Sequence, residues 1–358
     1  VDPSAIAHNT SLVKRLVGAK TAVMAVVKAN GYGHGAVPAT RAALEGGASW
    51  LAVSSVPEGL ELRKAGIREP ILNLGYTPPA ALSAAVAAKL ALTVYDRAGV
   101  ELLKTAATEI PVHVKLDSGM HRLGAEPDEA IRLATAVHAD PHLRLEGFWT
   151  HFADADRDLA FTAQQLRVFL DARAALIRNG VSGFISHAAN SAATLRLSEA
   201  RLDLVRAGLI LYGVRPAPDW SDLPTLRPAL TWQTIVTNLV TVPAGDSVGY
   251  GRHFMAKQPA RVATIAAGYA DGLHWRAAEN GRAIVRGTLV PFAGSISMDQ
   301  AALDVAAVPN VQIGDLVTLI GRDGDATLTA HDLAESAGTI SYEVLCAISN
   351  RVPRRYNI

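Results

Sequence analysis

The sequence predicts an α/β protein: a (β/α)8 barrel over residues 1–220, followed by a mainly β domain over residues 221–358. Three observations carry this reading. Short apolar runs lie at 21–28, 50–55, 71–75, 90–95, 110–116, 145–151, 184–188 and 204–212. Ala- and Leu-rich stretches at helical spacing, such as 36–46, 58–65, 79–88, 127–138 and 159–179, separate most of them. Near Arg215 this rhythm stops, and short β runs punctuated by Gly, Pro and Asp take over. Parallel strands covered by helices read as continuous apolar runs, and about 210 residues suffice for eight βα units.

In chain order, Ile6, Leu12, Val13, Leu16 and Val17 place an opening helix over 5–17, with Gly18 as its stop. The first apolar run is rich in Val and leads into Lys28, after which glycines at 31, 33 and 35 open a turn. A barrel collects its chemistry at the C-terminal ends of its strands. The polar residues obey that rule. Lys28 ends the first run, Lys115 and Asp117 end the fifth, and His151 closes the sixth. His187 and Asn190 follow the seventh, and Arg206 lies in the eighth. Pro216, Pro218, Pro224 and Pro228 mark a linker at 214–228. Beyond it, β runs are predicted at 230–242, 261–267, 283–292, 302–305 and 316–320, and helical spacing returns at 329–337 and 340–348.

Composition narrows the class of protein. A chain of 358 residues exceeds one ordinary core, which favours two domains. Its 49% hydrophobic and 19% charged residues describe a folded globular chain. A net charge of +1 gives no reason to expect nucleic acid or an anionic membrane as partner. No apolar run approaches the roughly 20 residues of a membrane-crossing helix. Cys346 is the sole cysteine, which excludes an intramolecular disulfide and fits a reducing, cytoplasmic setting. Val1 begins no signal peptide, although a processed mature chain would look the same.

Taken singly, the polar residues have ordinary readings. Partial desolvation lowers the pKa of an amine at a strand end and makes Lys28 a candidate nucleophile, but a solvated lysine leaving a strand looks the same. Lys115, two residues from Asp117, is either half of an ion pair or a modified residue. His151 reads equally as a hydrogen-bonded core histidine, Ser191 as a helix N-cap, Arg206 as a buried structural arginine and Tyr250 as a hairpin tyrosine. Five strand ends bearing ionisable groups nevertheless point to a common site.

Six motifs carry a resemblance that runs from about Ile6 to Tyr356. They are Ala22–Gly35 around Lys28 and Tyr32, Val-Lys-Leu-Asp-Ser-Gly-Met-His-Arg-Leu-Gly (114–124), Ser-His-Ala-Ala-Asn-Ser-Ala-Ala-Thr-Leu (186–195), Val-Arg-Ala-Gly-Leu-Ile-Leu-Tyr-Gly (205–213), Ser-Val-Gly-Tyr-Gly-Arg (247–252), and Thr-Ile-Ser-Tyr-Glu-Val-Leu-Cys-Ala-Ile-Ser (339–349). Together with Gly-Tyr-Ala-Asp-Gly (268–272) and Ser-Met-Asp-Gln (297–300), they resemble the alanine racemases, pyridoxal-phosphate-dependent enzymes of fold type III. Two departures are small: Ala207 and Ser297 stand where many members have proline and cysteine.

The resemblance implies pyridoxal 5'-phosphate on Lys28, with Lys28 and Tyr250 as the two bases of an L-alanine/D-alanine racemase. It implies phosphate contacts from Tyr32, Ser191, Gly208, Leu209 and Tyr342, with Asn190 lining the pocket and His151 stacked on the pyridine ring. Arg206 would face the ring nitrogen, supported by His187. Arg122 would approach the cofactor phenolic oxygen and, with Tyr269, Met298 and Asp299, the substrate carboxylate. Lys115 would be carbamylated, giving an anion for Arg122. A head-to-tail homodimer follows, because the family's Tyr250 equivalent serves the partner's site, and no metal is implied. Cell-wall precursor supply is the associated role. Two other classes are weighed beside it. A metal-dependent barrel hydrolase would use carbamylated Lys115 with His151 and His187, but it lacks a His-x-His pair where Lys28 stands. A non-catalytic pyridoxal-phosphate carrier would not need the β domain bearing Tyr250 and Met298.

Overall fold

The computed structural model describes the chain except Ala107, Pro218, residues 221–223 and Ile358. Pro218 and residues 221–223 of the predicted linker therefore lie outside the described residues. The chain forms two compact units. One comprises Pro3–Gly31 and Gly35–Arg227; the other comprises Val1–Asp2, Tyr32–His34 and Pro228–Ile358. Asn9 holds the end of the barrel unit at Arg227. Its amide donates to the Arg227 carbonyl at 2.8 Å and the Leu211 carbonyl at 3.1 Å, and its oxygen accepts from the Arg227 N–H at 2.8 Å.

The first unit is a nearly closed barrel of eight parallel strands. These are β1 (Ala22–Val26), β2 (Trp50–Val53), β3 (Ile71–Asn73), β4 (Ala91–Val94), β5 (Ile110–Lys115), β6 (Leu143–Trp149), β7 (Ile185–His187) and β8 (Leu204–Ala207). They lie in the order β7-β6-β5-β4-β3-β2-β1-β8. The seam between β7 and β8 carries two backbone bonds, Asp203 N–H to the Ser186 carbonyl at 3.2 Å and Arg206 N–H to the Ala189 carbonyl at 2.9 Å. In β1, Val23, Met24, Ala25 and Val26 are all buried, the result of a helical layer outside and packed side chains inside. The opening helix spans Pro3–Val17 and stops at Gly18, whose φ of 79° is the left-handed conformation that ends helices.

Three predicted runs differ from the observed strands at the ends that matter. β1 stops at Val26, so Lys28 belongs to the turn beyond it. β6 stops at Trp149, leaving His151 outside the ladder. The run 204–212 divides: β8 ends at Ala207, and Leu209–Tyr212 coil into a 3-10 turn. The Tyr212 hydroxyl donates to the Val26 carbonyl at 3.0 Å and ties that turn to β1. A helix at Arg97–Lys104, not singled out from the sequence, is capped by the Asp96 carboxylate accepting from the Gly99 N–H at 2.6 Å.

The second unit is built on antiparallel sheet. Its strands are β9 (Trp232–Val242), β10 (Ser247–Val248), β11 (Phe254–Met255), β12 (Ala260–Ile265), β13 (Arg282–Val285), β14 (Thr288–Pro291), β15 (Ala301–Asp304), β16 (Leu316–Asp323) and β17 (Ala326–Leu328). The main sheet runs β14-β13-β16-β9-β12-β15, with β17 on β16, and β10 pairs β11. The predicted run 283–292 is a hairpin whose two turn residues, Arg286 and Gly287, both have positive φ, the turn that matches strand twist. Val242, Ala256, Ala260, Val262 and Ala293 form one packed core. Helices Ala330–Ala337 and Ser341–Ala347 close the unit.

Candidate active site

The chain leaving β1 makes a left-handed helical turn. Ala29, Asn30, Gly31, Tyr32 and Gly33 have φ of 52°, 54°, 61°, 52° and 80° in succession. Each non-glycine residue there costs roughly 1–2 kcal/mol, so neighbours must hold the conformation. Glu58 does so from the next βα unit, accepting from the Ala29 N–H at 2.8 Å and the Ser54 N–H at 2.7 Å. The Asn30 side chain accepts from Ala36 N–H at 2.9 Å, and Gly31 N–H donates to the Val27 carbonyl at 2.9 Å. Lys28 thus stands at the root of a strained, pinned turn. Strain of this kind is typical of functional sites.

Arg206, 3% exposed, is held at both terminal amines. One terminal amine donates to His187 Nδ1 at 2.8 Å and the His187 carbonyl at 3.1 Å. The other meets the Thr150 carbonyl at 2.7 Å, the Ala188 carbonyl at 2.8 Å and His151 Nδ1 at 3.1 Å. Nε–H has no protein acceptor among the described residues. Burial pulls the guanidinium pKa down to about 9, which leaves it charged at neutrality. It also holds His151 and His187 well below the usual histidine range, with Arg206 as the next cause for each. Both rings are therefore neutral acceptors.

Lys115, Trp149 and His187 occupy one row across β5, β6 and β7. Trp149 stacks on His187 with ring centroids 5.4 Å apart, and it carries Lys115 Nζ and Arg206 Cζ each 4.7 Å from its centroid. Lys115 is buried, and its amine is pushed down to about 8, first by burial and then by Arg122 and Arg206. Asp117 does not pair with it. That carboxylate accepts from the backbone N–H groups of Gly119, Met120 and His121 at 2.9, 2.9 and 3.1 Å. The ion-pair alternative for Lys115 therefore falls. Close by, Asn190 caps the helix Ser191–Arg196, accepting from the Ala193 N–H at 3.0 Å. The cap is Asn190, not Ser191. The Ser191 hydroxyl instead accepts from the Gly208 N–H at 3.0 Å, which joins two of the predicted phosphate contacts. Leu209 follows, buried, in the 3-10 turn.

The remaining predicted residues lie on the second unit. Tyr32 is buried against Tyr342, with ring centroids 6.1 Å apart, and burial pushes its hydroxyl far above the usual tyrosine value. Gly33 permits a close approach: a Cβ there would sit 2.2 Å from the Leu345 carbonyl oxygen. Tyr250, Tyr269, Trp275, Met298 and Asp299 share the lining of a cavity of about 640 Å3. Gly268 lets the 268–272 and 297–300 loops touch, since a Cβ would meet the Ser297 and Met298 carbonyl oxygens at 2.3 Å. Tyr269 N–H donates to Ser297 O at 3.0 Å and Ala270 N–H to Met298 O at 3.0 Å. Tyr250 sits between Gly249 and Gly251, both at positive φ, and its carbonyl accepts from Ser295 Oγ at 3.0 Å.

Sequence reasoning missed three supporting residues. Glu58 pins the Lys28 turn from the next βα unit. His113 meets His187 at 2.9 Å inside the barrel. Arg351 occupies the Asp299 carboxylate at 2.7 Å and also reaches Asp271 at 3.5 Å. Only His113 left a signal, as a polar residue two positions before Lys115 on the same strand face.

Comparison with known proteins agrees with this geometry. Residues 1–216 match the family model "Alanine racemase, N-terminal domain" and residues 229–356 match "Alanine racemase, C-terminal domain". The alanine racemase of Symbiobacterium thermophilum is 42% identical over 361 residues, covering 99% of this chain and 96% of the relative. Alanine racemase 2 of Caldanaerobacter subterraneus is 40% identical, covering 99% and 93%. The crystal structure of alanine racemase from Bacillus anthracis with bound L-Ala-P superimposes with a TM-score of 0.94 at 38% identity, covering 100% of this chain and 94% of that one. The two family models together span 1–216 and 229–356, the relatives match nearly the full length of the chain, and the protein belongs to the alanine racemase family.

Proposed function

We propose that this chain interconverts L-alanine and D-alanine with pyridoxal 5'-phosphate held on Lys28. The observation that carries the reading is Arg206: buried, charged, and saturated at both terminal amines, with only Nε–H left to donate. That remaining donor suits a ring nitrogen. The joined Ser191 hydroxyl and Gly208 amide suit a phosphate, and β1, which leads to Lys28, pairs with β8 in the register Met24–Arg206. The residues present therefore fit the cofactor. When bound, its conjugated ring makes the α-hydrogen of an attached amino acid acidic.

The chain's own groups do the rest. Arg206 does not give up its proton near neutrality, so it would leave the nitrogen of a bound ring unprotonated and the electron sink weak, which suits racemisation over side reactions. Lys28 Nζ moves the proton on one face of the α-carbon, and Tyr250 Oη moves it on the other. Tyr250 is 78% exposed in the single chain, which supports its service to a second copy in a head-to-tail homodimer. Arg122, Tyr269 and Met298 hold the substrate carboxylate. Asp299, paired with Arg351, contributes no free charge there. His151 offers a neutral face to the ring, while Tyr32, Leu209, Asn190 and Tyr342 complete the cofactor pocket.

Lys115 is carbamylated in this reading. Its amine attacks carbon dioxide, forming one N–C bond and releasing one proton, and the product is an anion. Two facts support it: the amine is depressed to about 8, so a fair fraction is nucleophilic, and Asp117 is committed to backbone. Intact-mass measurement in bicarbonate should show one carbon dioxide per chain, lost in Lys115→Met. An unmodified mass in both would remove this assignment.

The metal-hydrolase alternative finds no support, because the Nδ1 atoms of His151 and His187 both face the Arg206 cation. No described helix is long and apolar enough to cross a membrane; Cys346 as the sole cysteine of the sequence supports a reducing, cytoplasmic setting, and family membership supports supply of D-alanine to peptidoglycan precursors. A chiral assay on a panel of L-amino acids with added cofactor tests the function. Formation of D-alanine is expected, and its absence at every cofactor concentration would overturn the reading. Turnover of serine at a similar rate would widen it to a broader amino-acid racemase.

A further inference from the structure

A hydrogen-bonded file continues from Arg206 through the barrel interior. His187 Nδ1 faces the Arg206 amine at 2.8 Å, the other ring nitrogen meets His113 Nδ1 at 2.9 Å, and His113 Nε2 meets Glu146 Oε2 at 3.3 Å. Glu146 Oε1 meets Arg144 at 2.8 Å, which in turn reaches Glu109 at 3.2 Å at the far end of the strands. The proton positions along this file are dictated. Arginine is only a donor, so His187 Nδ1 accepts and Nε2 carries the hydrogen. His113 Nδ1 must then accept, and its Nε2–H donates to the carboxylate. Every member has one allowed tautomer, ending on a negative charge.

The backbone is shaped to permit this. Val112 and His113 are consecutive on β5, yet they pair with Leu145 and Gly147 on β6, so Glu146 is the extra residue of a β-bulge. Bulges re-aim a side chain, and they concentrate beside functional sites. Gly147 makes the ring's space: a Cβ there would lie 2.1 Å from His113 Nδ1. Trp50 closes on the His113 ring edge with centroids 5.7 Å apart. His113 is fully buried, and burial holds its pKa below the usual histidine value, which keeps it neutral as the file requires.

We propose that His113 and Glu146 are positioning residues for Arg206. Through two neutral imidazoles they bring the Glu146 carboxylate to bear on a buried guanidinium that has no carboxylate in contact among the described residues. The effect is to strengthen His187 Nδ1 as an acceptor and to fix the guanidinium plane, and with it the direction of Nε–H. This rests on the reading of Arg206 as the ring-nitrogen partner. It adds a support that reaches the opposite end of the barrel.

The test uses the cofactor-loaded enzyme with 15N-labelled histidine rings. In the unsubstituted protein, NMR should show His187 and His113 each with a hydrogen on Nε2 and none on Nδ1. Glu146→Gln keeps an acceptor oxygen and loses the charge; Glu146→Leu loses both. The His187 nitrogen shifts, two residues along the file, should move in both variants and more in the leucine one. The turnover number should fall by about tenfold in Glu146→Leu, and less in Glu146→Gln, with KM for alanine held within about twofold. His113→Phe should give the larger loss; if it does not fold, the Glu146 pair decides. Nδ1–H on either ring, or a stable Glu146→Leu protein with unchanged His187 shifts and unchanged turnover number, would overturn the proposal. A protein that shows the expected tautomers and shift changes but turns over no amino acid would refute the racemase reading and leave the file standing.

Discussion

Arg206 and Tyr250 present their functional groups in opposite ways. Arg206 is 3% exposed and spends both terminal amines on three backbone carbonyls and two histidines. Tyr250 is 78% exposed, on a short turn between two positive-φ glycines. In the barrel, the same bonds that aim a group also hold strand ends together, so function and stability share atoms. At Tyr250 they are separate. A side chain there is aimed by loop backbone and costs little stability to change.

That contrast is broken most severely by Lys28→Ala. In the proposed reading the amine is both attachment point and base, so racemisation should fall by at least about 10^4-fold, with loss of borohydride-reducible cofactor. Near-normal turnover with a reducible linkage elsewhere on the chain would remove Lys28 from both roles.

Tyr250→Phe should cost about 10^2- to 10^4-fold in turnover while leaving stability within about 0.5 kcal/mol. Thermodynamics requires loss in both directions of racemisation, but solvent exchange is not so bound. If Lys28 handles the D-isomer, deuterium should still wash into D-alanine without inversion and scarcely enter L-alanine. Equal residual exchange from both enantiomers would mean that Tyr250 is not the second base.

Arg206→Met should do what Tyr250→Phe does not. It strands the Thr150 and Ala188 carbonyls and leaves the His187 carbonyl only the Thr150 N–H, so unfolding free energy should drop by about 2–4 kcal/mol together with activity. Denaturant titration measures it; an unchanged midpoint would mean that the carbonyl contacts carry no weight.

The smallest of these effects belongs to Glu58→Ala. Two charge-assisted bonds to backbone N–H are lost, which should destabilise the chain by about 1–3 kcal/mol and loosen the Lys28 turn. Hydrogen exchange at Ala29 and Ser54 should accelerate well before global unfolding; protection equal to that of the unsubstituted chain would contradict the pinning role.

Much of the molecule was legible in one dimension. The eight apolar runs are continuous because both strand faces are covered, and that pattern survives any detail of packing. Lys28, Lys115, His151, His187 and Arg206 could be assigned to one mouth because strand ends of a parallel barrel share a face. The turn after Val26 was readable only as glycine-rich. Its left-handed sense depends on Glu58, thirty positions beyond Lys28, and nothing local in Ala29 or Asn30 announces it. The pairing of Asp117 with its own loop was equally hidden, since a carboxylate two residues from a lysine suggests the opposite partner. The file through His113 and Glu146 needs a bulge on β6, which shifts register by one residue and turns an outward position toward the interior. Periodicity along a strand determines which residues face the core. Which of those residues touch is decided by register, bulges and missing Cβ atoms, and these exist only once neighbouring strands have paired.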